Sequence, residues 1–200
     1  MPDPILHGVF IEPDAELDKF IRTQKKVVSS QRPGEAYTDH PPHATLIVGA
    51  YHSPDIWLEL LEDLVLPAFD IQVVGYHVFE NDAMACGGHT VVHRIQLSEH
   101  LVVAQRAVAE VLADFVECAT PNYAFNVEPM RSSQERYGFP FIGEHWIPHM
   151  TVASINGQLN DPLIEDLLSE KCRMRVRVEA LQVWRVENER HEMVARLPLI

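Results

Sequence analysis

The chain has 200 residues, of which 46% are hydrophobic and 22% are charged, and its formal net charge is -13. A chain of this length can bury about 70% of the surface that it exposes when unfolded, so we expect a globular protein. The negative charge argues against a general binder of long nucleic acid, whose affinity depends on many lysine and arginine contacts to phosphates. No apolar stretch approaches the roughly 18 residues of a membrane span and no basic patch precedes the apolar N-terminal residues, so we expect a cytoplasmic protein.

In the first half of the chain, the hydrophobic pattern predicts strands at residues 5–11 and 44–50, each followed by a helix. Asp14 is the expected N-cap of the first helix, and Ser53 and Pro54 are the expected N-cap and first residue of the second. Two further strands, at residues 69–79 and 89–97, are joined by a turn rich in Asn, Asp and Gly. The predicted buried faces are Leu17, Phe20, Ile21, Val27 and Val28 in the first helix, and Ile56, Trp57, Leu60, Leu61 and Leu64 in the second.

The second half begins with a helix from Ser98 and continues with a strand at residues 150–155. Asp161 and Pro162 start another helix, and two strands follow, at residues 172–186 and about 191–199. The predicted buried residues of these two helices are Leu101, Val108, Val111, Leu112 and Phe115, and Leu163, Ile164, Leu167 and Leu168. Near the start of strand 172–186, arginines alternate with apolar residues, which indicates a half-exposed strand.

The order of elements in the first half therefore recurs in the second: a strand, a helix started by proline, and a hairpin. This pattern predicts an α+β, bilobal duplicated domain, in which two antiparallel-rich sheets flank a central cleft with helices outside. The lobes would span about 1–97 and 98–200, with or without exchange of strands. No Gly/Ser-rich or Pro-rich linker separates them, so we expect a single domain over residues 1–200.

The most specific feature of the chain is a short motif that occurs twice. Proline, histidine, any residue, threonine and an apolar residue follow one another at 42–46 and again at 148–152. Residues i and i+2 of a strand point to the same face. His43 and Thr45 therefore share one face, as do His149 and Thr151. Packing of the lobes about a pseudo-twofold axis would bring two imidazoles and two hydroxyls to one cleft. With an unperturbed pKa near 6.5, one imidazole can act as base and the other as acid near neutral pH.

The paired motifs, the separation of 106 positions between their histidines (149 minus 43), the chain length and the duplicated layout resemble the two-histidine (2H) phosphoesterase superfamily. That group includes bacterial 2'-5' RNA ligase-like proteins, cyclic nucleotide phosphodiesterases and eukaryotic RNA-end processing enzymes. The resemblance implies hydrolysis or transesterification of a phosphodiester, usually a cyclic or 2'-linked one, without metal or cofactor.

For the four motif residues, the resemblance implies distinct roles. One of His43 and His149 would activate water or a ribose hydroxyl, and the other would protonate the departing ribose oxygen. Thr45 and Thr151 would donate hydrogen bonds to the non-bridging oxygens of the phosphate, where charge grows in the transition state.

The segment 131–146 leads directly into the second motif and is polar, glycine-containing and aromatic. We expect a loop at the mouth of the cleft, in which Tyr137 or Phe139 stacks on a base and Arg131 or Arg136 binds a phosphate. The alternative is that the aromatic residues of the segment belong to the core.

Other polar residues are weaker candidates. Tyr37 and His40, just before the first motif, are comparable loop candidates, whereas histidines outside the motifs, such as His191, are expected to have structural roles. Positive charge concentrates in three places, which usually form solvated surface. These are residues 22–32 with Lys25 and Lys26, residues 131–136, and Arg173, Arg175 and Arg177.

A metal site is the first alternative to metal-free chemistry, because His145 and His149, like His89 and His93, are separated by three residues. Pro148 breaks the helix that would most simply align the first pair, and no set of carboxylates or cysteines nearby completes a site. The three cysteines of the chain fit neither a disulfide framework nor a zinc motif. We therefore expect no metal.

The substrate stays open among five classes: a 2',3'-cyclic nucleotide, a cyclic phosphate of ADP-ribose, a 2'-5' oligonucleotide, a cyclic oligonucleotide and an RNA 3' end. We expect a monomer. Few cations flank the motifs, so we expect it to take a nucleotide, a short oligonucleotide or an RNA terminus, and to have no long nucleic-acid track. The second alternative is a module that binds such a group without turning it over. Two intact His and Thr pairs favour the enzyme, because a binding module needs no titrating groups.

Overall fold

The computed structural model describes residues 5–118, 127–187 and 190–200. Within these ranges the chain forms nine strands and five α-helices. The strands are β1 (Leu6–Ile11), β2 (Ala44–Tyr51), β3 (Phe69–Asp82), β4 (Gly88–Ile95), β5 (Val116–Cys118), β6 (His149–Ile155), β7 (Met174–Val178), β8 (Ala180–Glu187) and β9 (Arg190–Pro198). The helices are α1 (Ala15–Gln31), α2 (Pro54–Glu62), α3 (Glu99–Ala113), α4 (Glu128–Tyr137) and α5 (Pro162–Ser169). The predicted α+β class is confirmed.

All of these strands belong to one antiparallel sheet, in the order β7-β3-β4-β6-β2-β1-β8-β9, with β5 paired to the end of β2. Two separate sheets were predicted, but the two halves of the sheet are joined between β6 and β2, by a single recorded pair in the described residues, Ala44 with Met150. In this register Pro42 and Pro148 lie two positions from that pair, one on either side of it. Proline has no N–H to donate, so these two residues limit the ladder between β2 and β6 to its short central part.

Each half of the sheet takes strands from both halves of the sequence. The β3–β4 hairpin follows the first motif but pairs with β6, the strand of the second motif. The β8–β9 hairpin follows the second motif but pairs with β1, which in turn pairs with β2. A duplication with lobes at 1–97 and 98–200 stays a prediction, and on this topology it requires exchange of strands.

Helix α1 begins as predicted, because the Asp14 carboxylate accepts a hydrogen bond from the backbone N–H of Leu17 at 2.9 Å. It packs against β6 and buries Leu17, Ile21 and Val28, whereas Val27 is exposed. Its buried face also includes two polar residues, Gln24 and Lys25. The hydrophobic pattern did not predict these two at the interior.

Helix α2 starts at Pro54, as expected, but Ser53 has a left-handed backbone with φ of 55° and its side chain makes no capping bond. The helix has nine residues and packs through Trp57 and Leu61, which are buried. The predicted core residues Ile56 and Leu60 are exposed by 55% and 45%. A short helix at the edge of the core covers only one stripe, so the wider predicted face was wrong.

In the second half, Ser98 caps α3 through the N–H of Leu101 at 3.3 Å, and α3 packs against β2. Asp161 caps α5 through the N–H of Leu163 at 2.9 Å. The inward faces of both helices are largely as predicted, except that Leu168 is exposed. The buried residues are Leu101, Val108 and Leu112 in α3 and Leu163, Ile164 and Leu167 in α5.

The predicted strand at residues 172–186 is two strands in different halves of the sheet. β7 is an edge strand on β3, where arginines alternate with buried Val176 and Val178. β8 is an inner strand between β1 and β9, and it is buried on both faces from residue 180 to 184. The alternation therefore ends where the chain moves from an edge to a covered strand.

Residues 128–137 form helix α4, where we predicted a loop. The helix has a single buried residue, Gln134, and therefore lacks the apolar stripe that identifies a helix in the sequence. It ends at Gly138, whose φ of 70° is the left-handed conformation that glycine adopts without strain.

Cys86 and Cys172 are free thiols, as expected, and the side chain of Cys118 lies outside the described part. No helix in the described ranges is both long and apolar enough to cross a membrane.

Candidate active site

A cavity of about 270 Å³ lies where β2 and β6 meet, and His43, Thr45, His149 and Thr151 all line it. We call it the histidine cavity. Ala44 and Met150 are paired between these strands. Continuing this antiparallel register by one residue places His43 opposite Thr151 and Thr45 opposite His149. The two histidines are thus diagonal to each other, and each has a threonine from the other motif across from it.

The residues between and after these four point away from the cavity, as the alternation predicted. Ala44, Leu46, Met150 and Val152 are fully buried in the core. A strand that buries one face holds its other face in a fixed position, so the packing of four apolar side chains orients the two His and Thr pairs.

Each of the two imidazoles has a backbone carbonyl oxygen as its hydrogen-bond partner. The Nδ1 atom of His43 lies 2.8 Å from the carbonyl oxygen of Pro41, and that of His149 lies 2.6 Å from the carbonyl oxygen of Ile147. A carbonyl oxygen can only accept, so Nδ1 carries the hydrogen in each ring. In the neutral ring the Nε2 atom then keeps a lone pair, which can accept a proton from a ligand.

Aromatic rings surround both histidines. The ring of His43 meets Phe10 edge-on at 4.6 Å and Trp184 at 5.2 Å, measured between centroids. The ring of His149 meets Phe79 at 5.0 Å. These contacts hold the imidazoles in place and keep water from one side of each.

Burial is the main cause that lowers the pKa of His43, which falls to about 3. The hydrogen bond to Pro41 acts in the opposite direction. Three neighbours that can carry positive charge lower the pKa further: His191, His40 and Lys25. Among these, His191 was expected to have only a structural role, yet its ring lies 6.0 Å from that of His43.

Burial also lowers the pKa of His149, and the hydrogen bond to Ile147 opposes this effect. Its charged neighbours differ from those of His43, because His77 lowers the pKa whereas the Asp82 carboxylate raises it. Asp82 lines the same cavity and accepts a hydrogen bond of 2.7 Å from the Thr90 hydroxyl. In both rings, burial therefore favours the neutral form.

Lys25 lines the histidine cavity, although it belongs to a basic segment that was expected to be solvated surface. Its side chain reaches from α1, is 4% exposed, and donates hydrogen bonds to the carbonyl oxygens of Tyr37, at 2.5 Å, and Val152, at 3.0 Å. It thereby links the segment before the first motif to the strand of the second. The pKa of Lys25 is lowered to about 7, mainly by burial and also by Arg22, whereas Asp39 acts in the opposite direction. One signal existed, since Lys25 lies four residues after Ile21 on the buried face of α1.

Part of the wall of the histidine cavity is aromatic. Phe139, Phe141 and Trp146 line it, and Phe139 and Trp146 also belong to the hydrophobic core. Gln105 of α3 fixes this wall, because its amide donates to the carbonyl oxygen of Phe141 at 2.8 Å. Its Oε1 accepts from the N–H of Gly143 at 2.9 Å.

Of the four predicted substrate contacts, only Phe139 lines the histidine cavity. Arg136 and Tyr137 lie on α4, where both contact the Glu110 carboxylate, at 2.5 and 2.6 Å. Arg131 pairs with Glu128 within the same helix. The predicted loop is a helix packed on α3, so its polar side chains meet carboxylates instead of the cavity. The loop candidates Tyr37 and His40 do line the cavity.

The described residues contain no group of three or more His, Cys, Asp or Glu side chains that could hold a metal ion. The side chains around the two motif histidines are instead hydroxyl, aromatic and cationic, with Asp82 as the carboxylate on the His149 side. Such a set favours an anionic ligand over a cation.

Comparison with known proteins gives one sequence family and several similar folds. The sequence profile of the 2'-5' RNA ligase superfamily matches residues 13–190. TT0787 of Thermus thermophilus has a TM-score of 0.62 at 12% identity, with 97% of each chain covered. E. coli LigT complexed with 3'-AMP has a TM-score of 0.55 at 14% identity, with 98% of this chain and 99% of that chain covered. No curated protein matches the sequence significantly.

Proposed function

The chain belongs to the 2'-5' RNA ligase superfamily, a group of two-histidine phosphoesterases, and we propose that it acts on a cyclic or 2'-linked phosphodiester of a nucleotide or RNA end. The observation that carries this proposal is that both His and Thr pairs line one cavity, with the Nδ1 of each ring fixed by a backbone carbonyl. Two proton-transfer groups and two hydroxyl donors suit the cleavage of a phosphodiester.

In the proposed reaction, the phosphate lies between the two imidazoles. The hydroxyls of Thr45 and Thr151 donate hydrogen bonds to the non-bridging oxygens and stabilise the charge that grows there. One imidazole takes a proton from water as the new oxygen–phosphorus bond forms. The other gives a proton to the ribose oxygen as its bond to phosphorus breaks. The product is a phosphomonoester, and each imidazole returns to its starting state by proton exchange with solvent.

We assign the base to His43 and the acid to His149. His43 has three neighbours that oppose a positive charge on its ring, His40, His191 and Lys25, so the ring is held in the neutral form that a general base requires. His149 has Asp82 nearby, which favours the protonated ring. An anionic phosphate bound between them favours protonation further, because it places negative charge next to the imidazole.

The aromatic wall supports a nucleotide as the substrate. Phe139, Phe141 and Trp146 line the histidine cavity, and nucleobases bind well to aromatic side chains. E. coli LigT, whose fold is similar, forms complexes with 3'-AMP, ATP and NADP+. On this reasoning the base lies against the wall and the phosphate lies between the histidines.

The experiment is an assay of the five candidate substrate classes in the presence of a chelator, with wild-type protein and the His43→Ala and His149→Ala variants. We expect turnover of at least one class, with loss of turnover in both variants. Binding of these compounds without turnover of any of them would show a nucleotide-binding module instead of an enzyme.

A further inference from the structure

A second cavity, of about 390 Å³, adjoins the histidine cavity along helix α1. Lys25 and His40 line both cavities, so the two cavities are adjacent at these residues. We call the second cavity the basic groove. Its wall also contains Arg22 and Lys26 from α1, and Asp39 from the segment before the first motif.

The charge of the basic groove differs from that of the rest of the chain. The net charge of the protein is -13, yet three cations, Arg22, Lys25 and Lys26, line this groove against one carboxylate, Asp39. Arg22 also pairs with Asp18 at 2.8 Å. For Lys25 and Lys26, no carboxylate oxygen within 4 Å is recorded in the described ranges.

In the other basic segments of the sequence, four arginines are paired with carboxylates in the described residues. Arg175 and Arg177 both contact Asp70, at 2.5 and 3.6 Å. Arg131 and Arg136 contact glutamates, as described above. The basic groove therefore offers positive charge to a ligand next to the proposed reaction site.

Lys25 is the residue of the basic groove that most strongly favours a bound anion. Its ammonium group is buried, and a buried charge is costly unless it is paired or hydrogen-bonded. An ammonium group has three N–H donors. In Lys25, two of them donate hydrogen bonds to neutral carbonyl oxygens. The third remains for a ligand in one of the two cavities that Lys25 lines.

We propose that the basic groove binds a second phosphate of the substrate, separate from the one that is cleaved. This inference rests on the proposed function and names its substrate class. In a nucleoside 2',3'-cyclic phosphate, the base occupies the 1' position and the scissile group the 2' and 3' positions. The 5' oxygen is the remaining attachment point, so the second phosphate is a 5'-phosphate.

The test compares adenosine 2',3'-cyclic phosphate carrying a 5'-hydroxyl with the same compound carrying a 5'-phosphate. We expect kcat/KM to be at least about tenfold higher for the 5'-phosphorylated compound, mainly through a lower KM. In the double variant Arg22→Gln, Lys26→Gln the ratio should fall below about twofold. Both residues are exposed, so their replacement does not disturb the core. Lys19→Gln, which removes an exposed lysine of the same helix outside the groove, should keep the wild-type ratio.

A binding measurement separates this inference from the proposed function. Adenosine 3',5'-bisphosphate should bind wild-type protein at least about tenfold more tightly than 3'-AMP by calorimetry, and the double variant should lose this difference. Equal affinities, or a difference that survives in the double variant, would overturn the second phosphate site. Turnover of the 5'-hydroxyl compound would leave the proposed function intact in that case, whereas tight binding without turnover would overturn only the proposed function.

Discussion

His43 and His149 are anchored alike, since the Nδ1 of each lies within hydrogen-bond distance of the carbonyl oxygen two residues earlier in the chain. In both motifs that carbonyl directly precedes the proline, at Pro41 and Ile147. The two rings therefore start as the same tautomer. Any difference between their catalytic roles must therefore come from the residues around them.

We expect His43→Ala and His149→Ala each to lower turnover by at least about 100-fold, because each removes a proton-transfer group. Circular dichroism and thermal unfolding should show that both variants remain folded. His100→Ala, which removes an exposed histidine on α3, is the matched control and should have wild-type activity. Near wild-type activity in either motif variant would rule out the two-histidine mechanism.

The assignment of base and acid predicts how the variants respond to the leaving group. A phosphodiester with a 4-nitrophenolate leaving group needs no protonation at departure, so it bypasses the general acid. His149→Ala should recover most of its loss on this substrate, measured as kcat relative to wild type, whereas His43→Ala should not. Recovery by His43→Ala alone would reverse the assignment.

The pH dependence of kcat/KM should have its maximum on the acidic side of pH 6.5. The pKa of His43 is lowered to about 3, so the base stays available in acid, and the lowered pKa of His149 means that the free enzyme loses its acid as the pH rises. Deprotonation of Lys25, whose pKa is about 7, should also lower kcat/KM as the pH rises, because a neutral amine binds an anion less tightly.

The kcat profile reports the complex and should be displaced to higher pH than the kcat/KM profile, because bound phosphate raises the pKa of His149. Both profiles are measured from pH 4 to pH 9 on a substrate for which chemistry limits the rate. A maximum of kcat/KM at or above pH 7 would contradict the effect of burial on the two imidazoles.

Protein stability should depend on pH through His93, which is buried and whose Nε2 lies 2.7 Å from the Gln24 side-chain oxygen. Burial lowers the pKa of His93 to about 4 from 6.5. Between these values the unfolded chain binds a proton that the folded chain does not, so the free energy of unfolding falls as the pH drops from 6.5 toward 4. Denaturant unfolding of wild type and His93→Gln should show a shallower fall in the variant, with His100→Gln as control. Equal slopes would disprove the linkage.

A chelator should leave turnover unchanged, since the proposed reaction uses imidazoles and hydroxyls alone. Added zinc should inhibit, because it binds the Nε2 atoms of His43 or His149. The measurement is the initial rate after treatment with chelator and again after addition of zinc or magnesium. Activity that disappears with chelator and returns with a divalent ion would support the metal alternative.

The sequence predicted the motif strands well because their signals are local. Proline followed by alternating polar and apolar residues determines which face each side chain takes, and the caps at Asp14, Ser98 and Asp161 start helices within three residues. What it could not predict depends on contacts between distant segments. Lys25 enters the histidine cavity because α1 packs on β6, a contact between residues more than 100 positions apart.

Helix α4 lies in the segment that was predicted to be a loop at the mouth of the cleft. Arg131, Arg136 and Tyr137 are near the second motif in sequence, and this proximity led to their prediction as substrate contacts. In the fold, these residues belong to a helix that packs on α3, and Glu110 of α3 contacts Arg136 and Tyr137. Closeness in sequence was a poor guide because the chain turns at Gly138 before it reaches the cavity.

The exchange of strands between the two halves has a consequence for synthesis and truncation of this protein. A chain that has emerged from the ribosome only as far as residue 97 already contains His43 and Thr45, but it lacks β6, β7 and β8, the partners of β4, β3 and β1. We therefore expect that neither half of the chain, produced alone, can form the complete sheet. On the proposed function, turnover is expected only after the last hairpin has paired with β1, so an activity assay would report complete folding.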